Sequence, residues 1–169
     1  MQYQNTYHSP LGEMLLAADD SGLVGIWFQG AKHFGQGLEP EGRVGYHPFL
    51  QEAERWLDCY FSGHEPEFQP PIHCQGSLFQ QMVWGLLRQI PYGTTITYGE
   101  LAARAAEQLG RSGMSAQAVG GAVARNPISI LVPCHRVVGA DGSLTGYAGG
   151  LERKRQLLAL EGANDPSHD

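Results

Sequence analysis

Pro66, Pro70 and Pro71 stand close together in the chain, between a hairpin-and-helix pattern and a mainly helical one. Proline has no N–H to give to a strand ladder or a helix interior, so such a cluster interrupts regular structure and reads as a linker. Before it, residues 11–18 and 23–28 are two apolar runs separated by Asp19-Asp20-Ser21-Gly22, which predicts a β-hairpin. Residues 31–45, rich in glycine and polar side chains, read as a loop. Phe49-Leu50, Ala53, Trp56-Leu57 and Tyr60-Phe61 then recur at helical spacing until Gly63 ends the pattern. These elements predict an N-terminal α/β domain over residues 1–75.

After the linker the period is helical. Ser77 is a candidate N-cap, and Leu78-Phe79, Met82-Val83, Leu86-Leu87 and Ile90 follow on one helix face, stopped by Pro91-Tyr92-Gly93. Helices over about 99–109 and 115–125 are joined by Gly110-Arg111-Ser112-Gly113, and the second is rich in small residues, a pattern compatible with a helix-turn-helix. Residues 128–133 read as a short buried strand or extended run, Gly139-Ala140-Asp141-Gly142 as a turn, 146–150 as a glycine-rich loop, and 151–160 as a final helix. A second domain over 76–163 and a tail over 164–169 follow from this.

The chain of 169 residues is long enough to bury a real core, and 42 % hydrophobic content with mixed charges is that of a soluble globular protein. No stretch reaches the roughly 18 apolar residues of a membrane span. Met1-Gln2-Tyr3-Gln4-Asn5 lacks the basic start and apolar run of a signal peptide. Three cysteines, Cys59, Cys74 and Cys134, are an odd number without framework spacing, which places the chain in a reducing cytoplasm. The net charge of −6 is unevenly spread: residues 1–75 carry three basic against ten acidic residues, and residues 76–163 eight basic against five acidic. A basic half joined to an acidic one suits a polyanion on one side only, although a charge-asymmetric enzyme without such a partner has the same distribution.

The chemical signal lies in Asn126-Pro127-Ile128-Ser129-Ile130-Leu131-Val132-Pro133-Cys134-His135-Arg136-Val137-Val138. A cysteine ends an apolar run and is followed by two residues able to carry positive charge. Thiolate is the nucleophilic form of cysteine, and nearby His or Arg favours it. Taken from the Cys-His adjacency alone, a buried structural cysteine is the more ordinary reading. On an extended segment, neighbouring side chains point to opposite faces, so His135 would reach the sulfur only through a water.

The stretch Ile130-Leu131-Val132-Pro133-Cys134-His135-Arg136-Val137-Val138, together with Tyr147-Ala148-Gly149-Gly150, closely resembles the O6-alkylguanine-DNA alkyltransferases. The likeness is strong over residues 76–163 and loose over 1–75. It implies an α/β protein with an N-terminal ribonuclease H-like half and a C-terminal helical, winged-helix-like half containing a helix-turn-helix. The implied activity is direct repair: one irreversible transfer of the alkyl group from O6-alkylguanine in DNA, with O4-alkylthymine as a further substrate, onto Cys134. No cofactor and no metal are implied, and the partner is the minor groove of double-stranded DNA, bound by a monomer.

Position by position, the resemblance makes Cys134 the alkyl acceptor, His135 its base through a water, and Glu161 the acid that orients the histidine. Asn126 matches an asparagine that braces the backbone between the recognition helix and the cysteine. Tyr98 matches a tyrosine on guanine N3. Tyr147 and Ala148 match the loop over the flipped base, with the Ala148 N–H reaching O6. The carbonyls of Cys134 and Val137 accept from the guanine amino group, and Lys154 frames or steers the site. Ala116-Gln117-Ala118-Val119-Gly120-Gly121-Ala122 matches the recognition helix. Its small residues, Ala118, Gly120 and Gly121 among them, suit close approach to a minor groove, and Arg125 at its end suits a phosphate. Taken without the resemblance, Glu161 reads as a solvated helix-end residue, Asn126 as an ordinary Asn-Pro turn, Tyr98 as a packing tyrosine and the small residues as helix–helix packing.

This chain departs from the family at Gln117, where an arginine usually fills the gap left by the extruded base; Arg111 is a candidate to share that work. The link between Tyr98 and Gln117 is longer than in several members, through residues 108–115. Cys59, His64, His73 and Cys74 fit no standard zinc spacing. Two other readings stay open: a non-catalytic module that recognises alkylated bases and flags them for other repair factors, and a cysteine hydrolase built on Cys134 and His135.

Overall fold

A computed structural model of the chain describes residues 1–39 and 43–163, with only the backbone of 43 and 44. Residues 40–42 of the expected loop and the expected tail lie outside them. The chain divides into two units, one of residues 1–75 with 127–129 and the other of 76–126 with 130 onward.

In the first unit, β1 (Tyr3–Ser9), β2 (Gly12–Ala18), β3 (Leu23–Phe28) and β4 (Arg43–Val44) form one sheet in the order β3-β2-β1-β4. The β2–β3 hairpin is where the apolar runs predict it. β1 has no counterpart in the sequence reading, because Gln4, Asn5, Thr6 and His8 give it a polar, half-exposed character without apolar alternation. It pairs antiparallel with β2 along its whole length, Tyr3 opposite Ala18 to Ser9 opposite Gly12, and β4 adds a two-residue parallel pairing inside the expected loop.

All six residues of β3 are buried. Its outer edge is covered twice. Leu23 exchanges main-chain hydrogen bonds with Pro71 and His73, and Ile26 with Pro127 and Ser129, all between 2.8 and 3.0 Å. The proline linker therefore contributes a β-bridge, and these pairings leave less of the edge open to a foreign strand. Gly25 is required here: a Cβ on it would lie 1.9 Å from the Trp27 ring. Helix α1 (Pro48–Phe61) starts with His47 as N-cap and Pro48 at its first position, where a missing N–H costs nothing. It lays Leu50, Ala53, Trp56, Leu57 and Tyr60 on the sheet. Leu50 and Leu57 each contribute roughly 1.5–3 kcal/mol by leaving water.

The second unit contains α2 (Leu78–Leu87), β5 (Ile96–Thr97), α3 (Tyr98–Leu109), α4 (Ala116–Ala124), β6 (Val137–Val138) and α5 (Leu151–Leu160). Ser77 caps α2 in a full capping box with Gln80, which satisfies two otherwise unpaired N–H groups. The helix ends before Ile90: Gln89 and Ile90 make tighter bonds to Leu86 and Leu87, and the Ile90 carbonyl is left free of the helix ladder. α3 is capped by the Thr97 hydroxyl and closed by Gly110, whose φ of 69° is the left-handed conformation glycine adopts without strain. α4 is capped by Ser115, and with α3 and the connection 110–115 it forms the helix-turn-helix. The Trp84 indole N–H donates 2.9 Å to the Ala122 carbonyl and fixes α4 against α2.

Candidate active site

The segment expected to be extended before Cys134 is not a regular strand. Ile128 and Ser129 pair with β3, and then buried Ile130 takes a φ of 73°, a conformation a β-branched residue adopts only at a cost. Asn126 Nδ2 donates 2.8 Å to the Val132 carbonyl and so closes this excursion of the chain. Pro133, at φ −82° and ψ 64°, makes an inverse γ-turn in which Cys134 N donates 2.8 Å to the Val132 carbonyl. Cys134–Arg136 is then a single 3₁₀ turn, leading into β6, which pairs with β5. The expectation that His135 and Cys134 point to opposite faces of an extended chain is corrected by this turn, where successive side chains are about 120° apart.

Cys134 is buried. Burial pushes its thiol up, against the Asn126 hydrogen bond and the positive charge of Lys154, both of which favour thiolate. His135 is completely buried, and its Nε2 lies 2.6 Å from Glu161 Oε2. Arg136 donates to the same carboxylate through Nε at 2.8 Å and Nη2 at 3.1 Å, and through Nη1 to the Ile90 carbonyl at 2.8 Å. Gly93 N donates to Glu161 Oε1 at 3.1 Å. Burial alone would raise the Glu161 carboxyl, but the bonds and charges of His135 and Arg136 hold it well below the usual carboxylate range. Burial lowers His135, and Arg136 and Lys154 add to this against the pull of Glu161.

The pair is therefore an ionised carboxylate and a neutral imidazole with its hydrogen on Nε2. Nδ1, buried and without a hydrogen bond among the described residues, carries the lone pair. Such an atom beside a cysteine is a proton acceptor.

Lys154 on α5 is also completely buried. Its Nζ donates to the carbonyls of Val137 (2.6 Å), Thr145 (2.9 Å) and Gly146 (3.2 Å). Burial pushes it down to about 8, against an upward pull from Cys134. Tyr98, at the start of α3, has its phenol raised by burial and by the charge on Cys134. A Cβ on Gly120 of α4 would meet the Tyr98 ring at 3.8 Å, and one on Gly146 would meet its Oη at 3.9 Å. Tyr98 therefore lies between α4 and the loop before α5.

Models of both halves of one family match this chain: the 6-O-methylguanine DNA methyltransferase ribonuclease-like domain over residues 2–74 and the DNA binding domain over 78–163. The chain belongs to the 6-O-methylguanine DNA methyltransferase family. It is 45 % identical over 162 residues to the methylated-DNA--protein-cysteine methyltransferase of Methanosarcina acetivorans, covering 95 % of this chain and 99 % of that one. It is 47 % identical over 156 residues to the enzyme of that name from Mycobacterium leprae, covering 90 % and 88 %. Among solved structures it is similar to Mycobacterium tuberculosis OGT in complex with DNA, with TM-score 0.81, 39 % identity and coverage of 98 % and 97 %.

Within this methyltransferase fold, hydrogen bonds and charge interactions join Cys134, His135, Glu161, Asn126, Tyr98, Val137 and Lys154. Tyr147 and Ala148 are half-buried on the loop, and Gly150 N bonds back to the Tyr147 carbonyl at 2.9 Å. Gln117, Ala118, Gly121 and Arg125 are exposed on or at the end of α4, and Arg111 is exposed in the turn before it. Among the described residues none of these five is hydrogen-bonded to the Cys134 cluster through a side chain.

The part played by Arg136 is not legible in the sequence. It stood in the motif as a cation for the thiolate, whereas its guanidinium is committed to Glu161; Lys154 supplies the charge that acts on Cys134. The Thr145 and Gly146 carbonyls and Gly93 N were also missed, since main-chain donors and acceptors leave no residue-type signal.

Proposed function

We propose that this chain repairs alkylated DNA by taking the alkyl group from O6 of guanine onto Cys134, once per molecule. The observation that carries this is a buried cysteine in one turn with a neutral histidine whose Nε2 is held by an ionised carboxylate and whose Nδ1 is unused. A carboxylate that fixes the tautomer and supports the cation formed on proton uptake follows the logic of a catalytic triad. The first unit is the α/β domain, and the second binds DNA and carries the transfer chemistry.

The exposed, small-residue face of α4 enters the minor groove of the duplex, with Arg125 and Arg111 on phosphates. The damaged guanine leaves the stack at a cost of a few kcal/mol and lies under Tyr147 and Ala148. The Cys134 and Val137 carbonyls read its amino group. The Val137 oxygen already accepts from Lys154 and keeps a second lone pair for this. His135 takes the thiol proton through a water, sulfur bonds to the alkyl carbon, the bond from that carbon to O6 breaks, and Tyr98 assists guanine at N3. O4-alkylthymine presents the same oxygen–alkyl bond. The thioether is permanent, so the protein is consumed.

An odd number of cysteines without framework spacing fits a reducing cytoplasm, the setting we assign. Among the described residues no helix is long and apolar enough to cross a membrane. Intact mass after mixing with DNA containing O6-methylguanine tests the function: one added methyl on the peptide of Cys134 is expected, and repeated turnover or an unmodified protein would refute it.

A further inference from the structure

The Thr145 carbonyl is shared by two donors. Tyr98 Oη reaches it at 3.5 Å, long against the usual 2.7–2.8 Å or so of such a bond, while Lys154 Nζ reaches it at 2.9 Å. Lys154 gives its other two N–H bonds to Val137 and Gly146, so its three donors are all placed on neutral main chain. Among the described residues it makes no salt bridge, which is unusual for a buried ammonium. Its Nζ lies 6.0 Å from the centre of the Tyr98 ring. One ammonium thus ties together the start of α3, β6, the substrate loop and α5.

We propose that Lys154 is the positioning residue of the Tyr98 hydroxyl: it holds the Thr145 carbonyl by a charge-assisted bond, so that Tyr98 can turn its O–H from the loop to the departing base. This deepens the alkyl-transfer reading and rests on it. As sulfur bonds to the alkyl carbon, the electron pair of the bond to O6 passes into the guanine ring, and N3 receives the Tyr98 proton. The proton that His135 took from the thiol returns through solvent to Tyr98, so one proton has moved overall from sulfur to guanine. Without Lys154 the carbonyl keeps the tyrosine proton, and the loop that places the base loses its tie to β6.

Only an ammonium has the three N–H groups that three carbonyls require; a neutral amine has two and turns a lone pair on the third. Burial that lowers Lys154 to about 8 brings this change within reach of ordinary buffers. The groups facing it are Tyr98 from α3 and Cys134 and His135 from the 3₁₀ turn; β6 and the loop offer carbonyls.

The test is the limiting single-turnover rate with free O6-benzylguanine for wild type, Tyr98→Phe, Lys154→Met and the double variant. Lys154→Met is expected to fall to about the rate of Tyr98→Phe, and the second substitution to change it by less than about 3-fold, the mark of coupled residues. Independent losses that multiply, or a change in half-saturation alone, overturn the proposal. Should Lys154→Met not fold, the ratio of wild type to Tyr98→Phe from about pH 6.5 to 9.5 decides, since Lys154 titrates there and Tyr98 does not. The ratio should shrink toward one above pH 8, and a constant ratio refutes the role. A wild-type protein that gains no benzyl mass refutes the transfer reading itself; one that is alkylated with a constant ratio refutes only the part of Lys154.

Discussion

His135 and Glu161, far apart in the chain, meet with Nε2 2.6 Å from Oε2, both side chains fully out of solvent. The carboxylate accepts from His135, twice from Arg136, and from Gly93 N. A carboxylate so surrounded stays ionised, which keeps the histidine hydrogen on Nε2 and leaves Nδ1 as the basic atom.

Glu161 should make the fold acid-sensitive. Its folded carboxyl sits below its ordinary value of 4.5, so its stabilisation is complete above that value and is lost as pH falls through it toward the folded one. Glu161→Gln at neutral pH leaves the Arg136 charge buried without its partner, a loss of about 3–5 kcal/mol. Urea unfolding at several pH values measures both. A variant with wild-type stability at pH 7 and the same acid dependence would remove Glu161 from the account.

Cys134→Ser is expected to abolish transfer and leave duplex binding largely intact, because the exposed face of α4 does not include Cys134. Mass mapping and a binding titration check the two halves of this statement. Alkyl label on Cys59 or Cys74 in either protein would contradict it.

Tyr98→Phe should slow transfer by roughly 10–10³-fold, the low end of general-acid effects, with little change in DNA affinity. The phenol stays protonated at neutral pH, since burial raises it from 10. An unchanged single-turnover rate would reduce Tyr98 to the packing between Gly120 and Gly146.

Gln117 lies exposed at the second position of α4, where the family usually carries arginine. Extruding a base leaves a gap, and arginine fills it with a longer stem and a cation. Gln117→Arg is expected to speed transfer on duplex DNA and to leave the rate on free O6-benzylguanine nearly unchanged, since the free base needs no extrusion. Binding should become more salt-sensitive by about one phosphate. Equal acceleration on both substrates, or none on duplex, would mean that another residue such as Arg111 already holds the gap or that chemistry limits the rate.

Short-range patterns in the sequence determined β2, β3, α1 and the helix-turn-helix, because alternation, helical spacing and Ser, Thr and Gly caps act within a few residues. They also marked Cys134 and His135, through a motif whose neighbours are adjacent in the chain. β1 escaped because its residues are polar and its ladder is supplied by β2. The state of the site escaped for a related reason. Glu161 and Lys154 are charged residues on or at the end of a weakly amphipathic helix, and nothing local distinguishes them from solvated ones. Only the folded chain buries them, setting Glu161 against His135 and Arg136 and Lys154 against the carbonyls of Val137, Thr145 and Gly146. Burial and partners distant in sequence set the charge state of an ionisable group, and both exist only after the elements have packed.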